Sequence, residues 1–158
     1  PEREDFLSQL VGYDVLIQGG RWDRASRSFP FQVPAQYAFG PAVAPLVAGA
    51  AVCLNHLRRQ NSDSHNLRTF EIPAMGGLML TNRTREQQEF FPEGEACYMF
   101  GGAGELRQRI DHILHHPREA SQVRSRGMEI VLGHTLAHRV QQLLDVVEKD
   151  ATMLKQKC

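Results

Sequence analysis

Apolar residues recur at helical spacing from the start of the chain. Phe6, Leu7, Leu10 and Val11 share one face and predict a helix over Arg3 to Val11. Gly12 ends it, and the mostly apolar run Asp14-Val-Leu-Ile-Gln18 predicts a short strand closed by Gly19-Gly20. Residues Arg21 to Gly40 hold Trp22, Pro30 and Pro34 without a period, as a long loop would. Pro41 suits the first turn of a helix reaching about Ala48, and Ala51 to Asn55 predicts a buried strand. A polar loop from Arg58 to Ser64 leads to a helix over about Asn66 to Met75, with Pro73 inside its pattern and Gly76-Gly77 at its end.

The alternation continues. Leu78 to Thr81 predicts a strand, Thr84 caps a helix through Phe91, and Ala96 to Phe100 predicts a further strand. Three helices complete the chain, over about Glu105 to His115, Arg118 to Val131 and Thr135 to Lys155. Strands that alternate with helices predict an α/β fold, a parallel sheet flanked by helices with a helical C-terminal region. In such sheets ligands bind beyond the carboxyl ends of the strands, in loops that lead into helices. Here those loops are Gly19 to Gly40, Leu57 to Asn66 and Thr81 to Thr84.

Composition narrows the picture. A length of 158 residues suits one domain, and the chain is read as a single domain over residues 1–158. Its start at Pro1, with a helical pattern already under way, marks it as a piece of something longer. Lys plus Arg equals Asp plus Glu at 18 each, so no electrostatic footprint favours nucleic acid or an anionic membrane. The longest apolar stretch, Ala42 to Leu54, is broken by Pro45 and Gly49 and is too short to span a bilayer. Cys53, Cys97 and Cys158 share no short spacing, and the first two lie in apolar runs. Buried free thiols and a cytoplasmic setting are expected.

Candidate chemistry concentrates in Arg58-Arg-Gln-Asn-Ser-Asp-Ser-His-Asn-Leu-Arg68, which follows a strand and opens a helix. A helix start offers free N–H groups and a positive dipole end to an anion. Ser62, Asp63, Ser64 and Asn66 can cap it, and Arg58, Arg59 and Arg68 can bind phosphate. Glu71 follows in an apolar stretch, where a carboxylate is either exposed at a cleft or paired. One ionised carboxylate can accept from both hydroxyls of a ribose. A structural reading stands beside this one, in which Asp63 only caps the helix and Glu71 only pairs with Arg68.

The run Leu54-Asn-His-Leu-Arg58, followed by Asp63-Ser-His-Asn-Leu-Arg-Thr-Phe-Glu-Ile-Pro-Ala-Met-Gly-Gly77, resembles the glycosyltransferase-like family related to spore-maturation proteins. Agreement continues through Thr81, Glu89-Phe-Phe, Leu106 to Pro117 and His134-Thr-Leu-Ala-His-Arg139. The resemblance implies two Rossmann-like lobes facing across a cleft. This chain would be the C-terminal, donor-binding lobe, and the N-terminal acceptor lobe would be its partner. In the wider family-4 type, two acidic residues lie eight apart at the corresponding loop and helix, as Asp63 and Glu71 do. By that likeness Glu71 accepts from the donor ribose and Asp63 contacts hydroxyls of the transferred sugar, although Asp63 replaces the more usual Glu. The backbone of Ser64, His65, Asn66 and Leu67 meets the diphosphate. Arg58 or Arg68 assists the leaving group, and His65 orients the sugar or helps the leaving phosphate. A nucleoside-diphosphate sugar is the implied substrate, with no cofactor and no metal. A sugar-nucleotide-binding module without activity and a sugar-nucleotide epimerase of the same architecture are the alternatives.

Two further features are read as structural. His112 and His116, and likewise His134 and His138, are four apart on predicted helices, but no adjacent Glu or cysteine pair completes a zinc motif. Gly101-Gly-Ala-Gly104 lacks the Lys-Ser/Thr of a nucleotide-triphosphate loop and is expected to be a turn.

Overall fold

In the computed structural model the residues described are 2–19, 31–34, 36–57, 61 and 63–155. Helix α1 covers Glu2–Ser8 and α2 covers Ala44–Gly49, the latter entered by a 3-10 turn at Gly40–Val43. Strand β1 (Cys53–Asn55) leads to α3 (Arg68–Ala74), β2 (Met79–Asn82) to α4 (Arg85–Phe90), and β3 (Tyr98–Phe100) to α5 (Ala103–His115). Helix α6 (Pro117–Val131), a 3-10 turn at Leu132–His134 and α7 (Leu136–Lys155) complete the described chain.

The three strands form one parallel sheet in the order β1-β2-β3, with Leu54 opposite Leu80 and Leu80 opposite Tyr98. Side chains alternate across it, as the period of two requires. Leu78, Leu80, Tyr98 and Phe100 enter a core that includes Leu7 and Leu10 at α1, Leu106 and Ile110 of α5, and Val123 of α6. Met79, Cys97 and Met99 face the other way, toward Ile72 of α3, Phe91 and Val131. Burial on both faces explains why the strands read as apolar runs. The arrangement is Rossmann-like α/β.

The segment Asp14 to Gln18 departs from expectation. Ile17 is buried in the first core, yet only one bridge, Leu16 with Gln32, stands where a strand is predicted. Its apolar pattern is satisfied by packing rather than by a ladder.

Helix α3 ends as its sequence dictates. Gly77 N donates to Ile72 O (2.9 Å) and Gly76 N to Pro73 O (3.0 Å), with Gly76 at φ +78°. These two bonds and the left-handed residue make a Schellman cap. A Cβ on Gly77 would lie 2.5 Å from Val47 Cγ1 and 2.9 Å from Ile72 Cγ2, so the second glycine lets α2 and α3 approach. Pro73, in the last turn of the helix, is buried and does not break it early.

Candidate functional site

The loop after β1 is held in place mainly by uncharged side chains, with Glu86 as the one carboxylate that joins them among the described residues. Asn66 and Thr69 bond reciprocally: Thr69 N donates to Asn66 Oδ1 (3.3 Å) and Asn66 N to Thr69 Oγ1 (3.4 Å). This is the logic of a capping box, with both orphan amides satisfied. Asn66 Nδ2 donates to Oδ1 of the fully buried Asn55 at 2.9 Å, and Asn55 O accepts from Thr81 Oγ1 at 3.0 Å. Thr84 Oγ1 donates to Ser64 O (2.9 Å) while accepting from Gln87 N (3.1 Å), so the predicted cap of α4 also ties down the loop. Leu57 N donates to Asn82 Oδ1 (2.7 Å). The loop is thereby fastened to the carboxyl ends of β1 and β2, where the topology expects a ligand.

Within α3 the amides of Thr69, Phe70 and Glu71 are taken up inside the turn, donating to Asn66 and Leu67. The N–H groups of His65, Leu67 and Arg68 are the ones without an acceptor among the described residues. The capping role considered for Asp63 belongs to Asn66, and Glu71 makes no ion pair with Arg68.

Asp63, Arg68 and Glu71 are exposed and have no hydrogen-bond or ion-pair partner among the described residues. Ser64 and His65 do have one. Ser64 Oγ donates to Glu86 Oε2 at 2.9 Å, and His65 Nδ1 lies 2.6 Å from the same oxygen. These hydrogen bonds, that of His65 first, hold the Glu86 carboxyl below its ordinary pKa. The His65 ring meets Phe70 and Phe90 edge-on, at centroid distances of 5.5 and 4.9 Å. Glu86 and Phe90 escape a reading along the chain, because their partner His65 is set more than twenty residues earlier. Arg58, Arg59 and Ser62 lie outside the described residues, as do Arg21 and Trp22.

A cleft of about 770 Å³ opens beside α3, between it, α6 and the start of α7. Of the predicted site residues among those described, Leu67 and Glu71 border it. Its walls are mainly apolar, with Phe70, Met128, Leu132 and Leu136 among them, and Arg139 is its one cationic lining residue. Arg139 lies 5.9 Å from the Phe70 ring and donates from Nη2 to His134 Nδ1 at 2.6 Å. Burial first, and then Arg139, lowers the His134 pKa, so this ring is a neutral acceptor. Walls of this kind supply few partners for phosphate or ribose. The polar loop that ends at Glu71, rather than the cleft as a whole, is the candidate site.

Three of the other histidines are committed to the fold. His112 Nε2 meets Glu119 at 3.0 Å, His116 Nδ1 donates to His112 O at 2.8 Å, and His138 Nδ1 meets Thr135 Oγ1 at 2.7 Å. Among the described residues no group of three or more His, Cys, Asp or Glu is assembled to hold a metal ion. Burial raises the free thiols to about 11 at Cys53 and about 12 at Cys97, which leaves both unreactive. Among the described residues no helix is long and apolar enough to cross a membrane.

No curated protein matches the chain. Residues 3–145 match the family model described as glycosyl transferase-like, which takes in the loop, α3 and the root of α7.

Proposed function

The chain belongs to the glycosyl transferase-like family, and from that premise we propose that it is the donor-binding lobe of a two-lobed, spore-maturation-like enzyme. In this reading it binds a nucleoside-diphosphate sugar and presents it to an acceptor hydroxyl carried by a separate N-terminal lobe. The observation that carries the proposal is the pair Asp63 and Glu71: eight residues apart, exposed, and with side chains that have no partner among the described residues. Such carboxylates, on a fastened loop and on the first turn of the helix it enters at the carboxyl end of a parallel sheet, are available to a ligand.

Glu71 accepts from the two ribose hydroxyls, and Asp63 takes hydroxyls of the transferred sugar. Arg68 and the free N–H groups of His65, Leu67 and Arg68 face the diphosphate. In the transfer, the bond from the anomeric carbon to the diphosphate oxygen breaks. A bond from that carbon to the acceptor oxygen forms, and the acceptor releases its proton. Negative charge develops on the leaving diphosphate, and fixed donors and a guanidinium stabilise it without a metal. Arg58 belongs to this proposal as a second cation. A hexose as the sugar and a cytoplasmic setting complete the reading, and the chain by itself is expected to bind donor without transferring sugar.

Titration calorimetry with uridine, guanosine, adenosine and thymidine diphosphates and their glucose conjugates tests it. One of the bases is expected to bind, and Glu71→Ala is expected to weaken that binding by roughly tenfold or more, the effect of losing a charged hydrogen-bond acceptor. Equal affinity in Glu71→Ala and wild type would remove Glu71 from the site.

A further inference from the structure

Glu86 is not among the residues that the sequence singles out for chemistry, yet its carboxylate bonds two groups of the loop. It projects from the first turn of α4 and takes two groups of the loop at once, Ser64 Oγ at 2.9 Å and His65 Nδ1 at 2.6 Å. The Thr84 hydroxyl, two residues before Glu86, fastens the Ser64 carbonyl. Phe70 and Phe90 meet the imidazole edge-on. The ring is thus fixed by contacts from its own loop, from α3 and from α4. Its other nitrogen, Nε2, has no partner among the described residues, and the side chain is 34% exposed.

A carboxylate is an acceptor only, so the proton of a neutral ring facing it sits on Nδ1 and the lone pair sits on Nε2. Such a nitrogen takes a hydroxyl, which brings a proton, and has nothing to give an ionised phosphate. His65 also stands two residues from Asp63, on the same fastened loop. We infer that Glu86 is a positioning residue that holds His65 as its Nδ1–H tautomer, so that Nε2 accepts a hydrogen bond from a hydroxyl of the transferred sugar. This rests on the donor-site reading above, and of the two roles considered for His65, orienting the sugar or helping the leaving phosphate, it selects the first and adds Glu86 as the group that sets it.

Two measurements test it. Nitrogen-15 spectra of the imidazoles near pH 8, with the His65 signals identified by their loss in His65→Phe, are expected to show Nε2 unprotonated in wild type. In Glu86→Gln the population should move toward the Nε2–H form that an unconstrained imidazole favours. Calorimetry with the four nucleoside diphosphates and their glucose conjugates gives the second readout, the gain in affinity that the sugar adds. That gain, taken in each protein as the ratio of conjugate to bare-diphosphate affinity, is expected to fall about fivefold in both His65→Phe and Glu86→Gln, the scale of one hydrogen bond. An Nε2–H ring in wild type, or an undiminished sugar gain in both variants, would overturn the inference while the donor site stood. Absence of binding by every diphosphate and conjugate to wild type would overturn the donor site and this inference with it.

Discussion

Two loops leave the outer strands of the three-stranded sheet, β1 and β3, and enter helices, and they are stabilised in different ways. After β3, charges hold the structure together. Arg83 donates to both oxygens of Glu93 and both oxygens of Glu105, and Arg109 adds a contact to Glu93 at 2.9 Å. Glu105 also accepts from Gly101 N at 2.7 Å, so the glycine turn is closed by its own protein groups. After β1, Asn55, Asn66, Thr69, Thr81 and Thr84 do most of the fastening, one carboxylate, Glu86, adds its hold on Ser64 and His65, and the side chains of Asp63, Arg68 and Glu71 take no part among the described residues. Charge that is neutralised internally has little left for a ligand. Charge kept out of the fold, on a backbone made rigid by amides and hydroxyls, is pre-organised for one. The glycine-rich turn looks more like a phosphate loop in sequence, yet the polar loop is the better site.

The comparison breaks first at Asn66. Asn66→Ala removes the reciprocal cap with Thr69 and leaves the Oδ1 of buried Asn55 without its donor. A lost cap costs about 1 kcal/mol and an orphaned buried acceptor about 1–3, so a loss of about 2–3 kcal/mol is expected. Urea unfolding followed by circular dichroism measures it. A change below about 0.5 kcal/mol would mean that the neutral network does not hold the loop.

The charged loop should respond differently, and with a pH signature. Arg83 is about a third exposed, so Arg83→Met is expected to cost only about 1 kcal/mol near neutral pH, despite two bidentate contacts. Its hydrogen bonds are the main reason the Glu105 carboxyl sits at about 2 rather than 4.5. A carboxyl with a depressed folded-state pKa stabilises the fold above its unfolded value, and this contribution is lost as pH falls toward the folded value. Wild type should therefore lose stability between about pH 4.5 and about pH 2, and Arg83→Met should lose less in that window. Parallel acid-dependence curves for the two proteins would show that Arg83 does not set the Glu105 titration.

Much of this contrast was present in the sequence, but unevenly. Alternating strands and helices from Ala51 onward, the Thr84 cap and the Gly76-Gly77 stop all follow from local rules, and the structure repeats them. Asp63 and Glu71 stand out by their spacing. The strand expected at Asp14 to Gln18 did not form a ladder, because strand formation depends on a neighbour that the segment's own pattern does not encode. Glu86 was legible as a residue in the first turn of a capped helix, but its partners His65 and Ser64 are set by the parallel pairing of β1 with β2. The same limit applies to α7. Its helical period is plain in the chain, whereas the exposure of Leu136, Val140, Leu143 and Val147 along it is a property of packing.

The smallest expected effect is the most telling. If Glu71 is reserved for a ligand, then removing it should leave the unliganded fold as stable as before. Glu71→Ala deletes an exposed carboxylate that has no partner among the described residues, at a helical position where alanine is equally acceptable. Its weak favourable position in the first turn of α3 is worth at most a few tenths of a kcal/mol at ordinary ionic strength. Urea midpoints of Glu71→Ala and wild type should therefore agree to within about 0.5 kcal/mol without nucleotide. They should separate once a binding nucleoside diphosphate is added, since only the protein that binds it gains stability from it. A loss of more than about 1 kcal/mol without ligand would give Glu71 a structural duty, and the contrast between a loop held by charge and a loop holding charge in reserve would fail at its central residue.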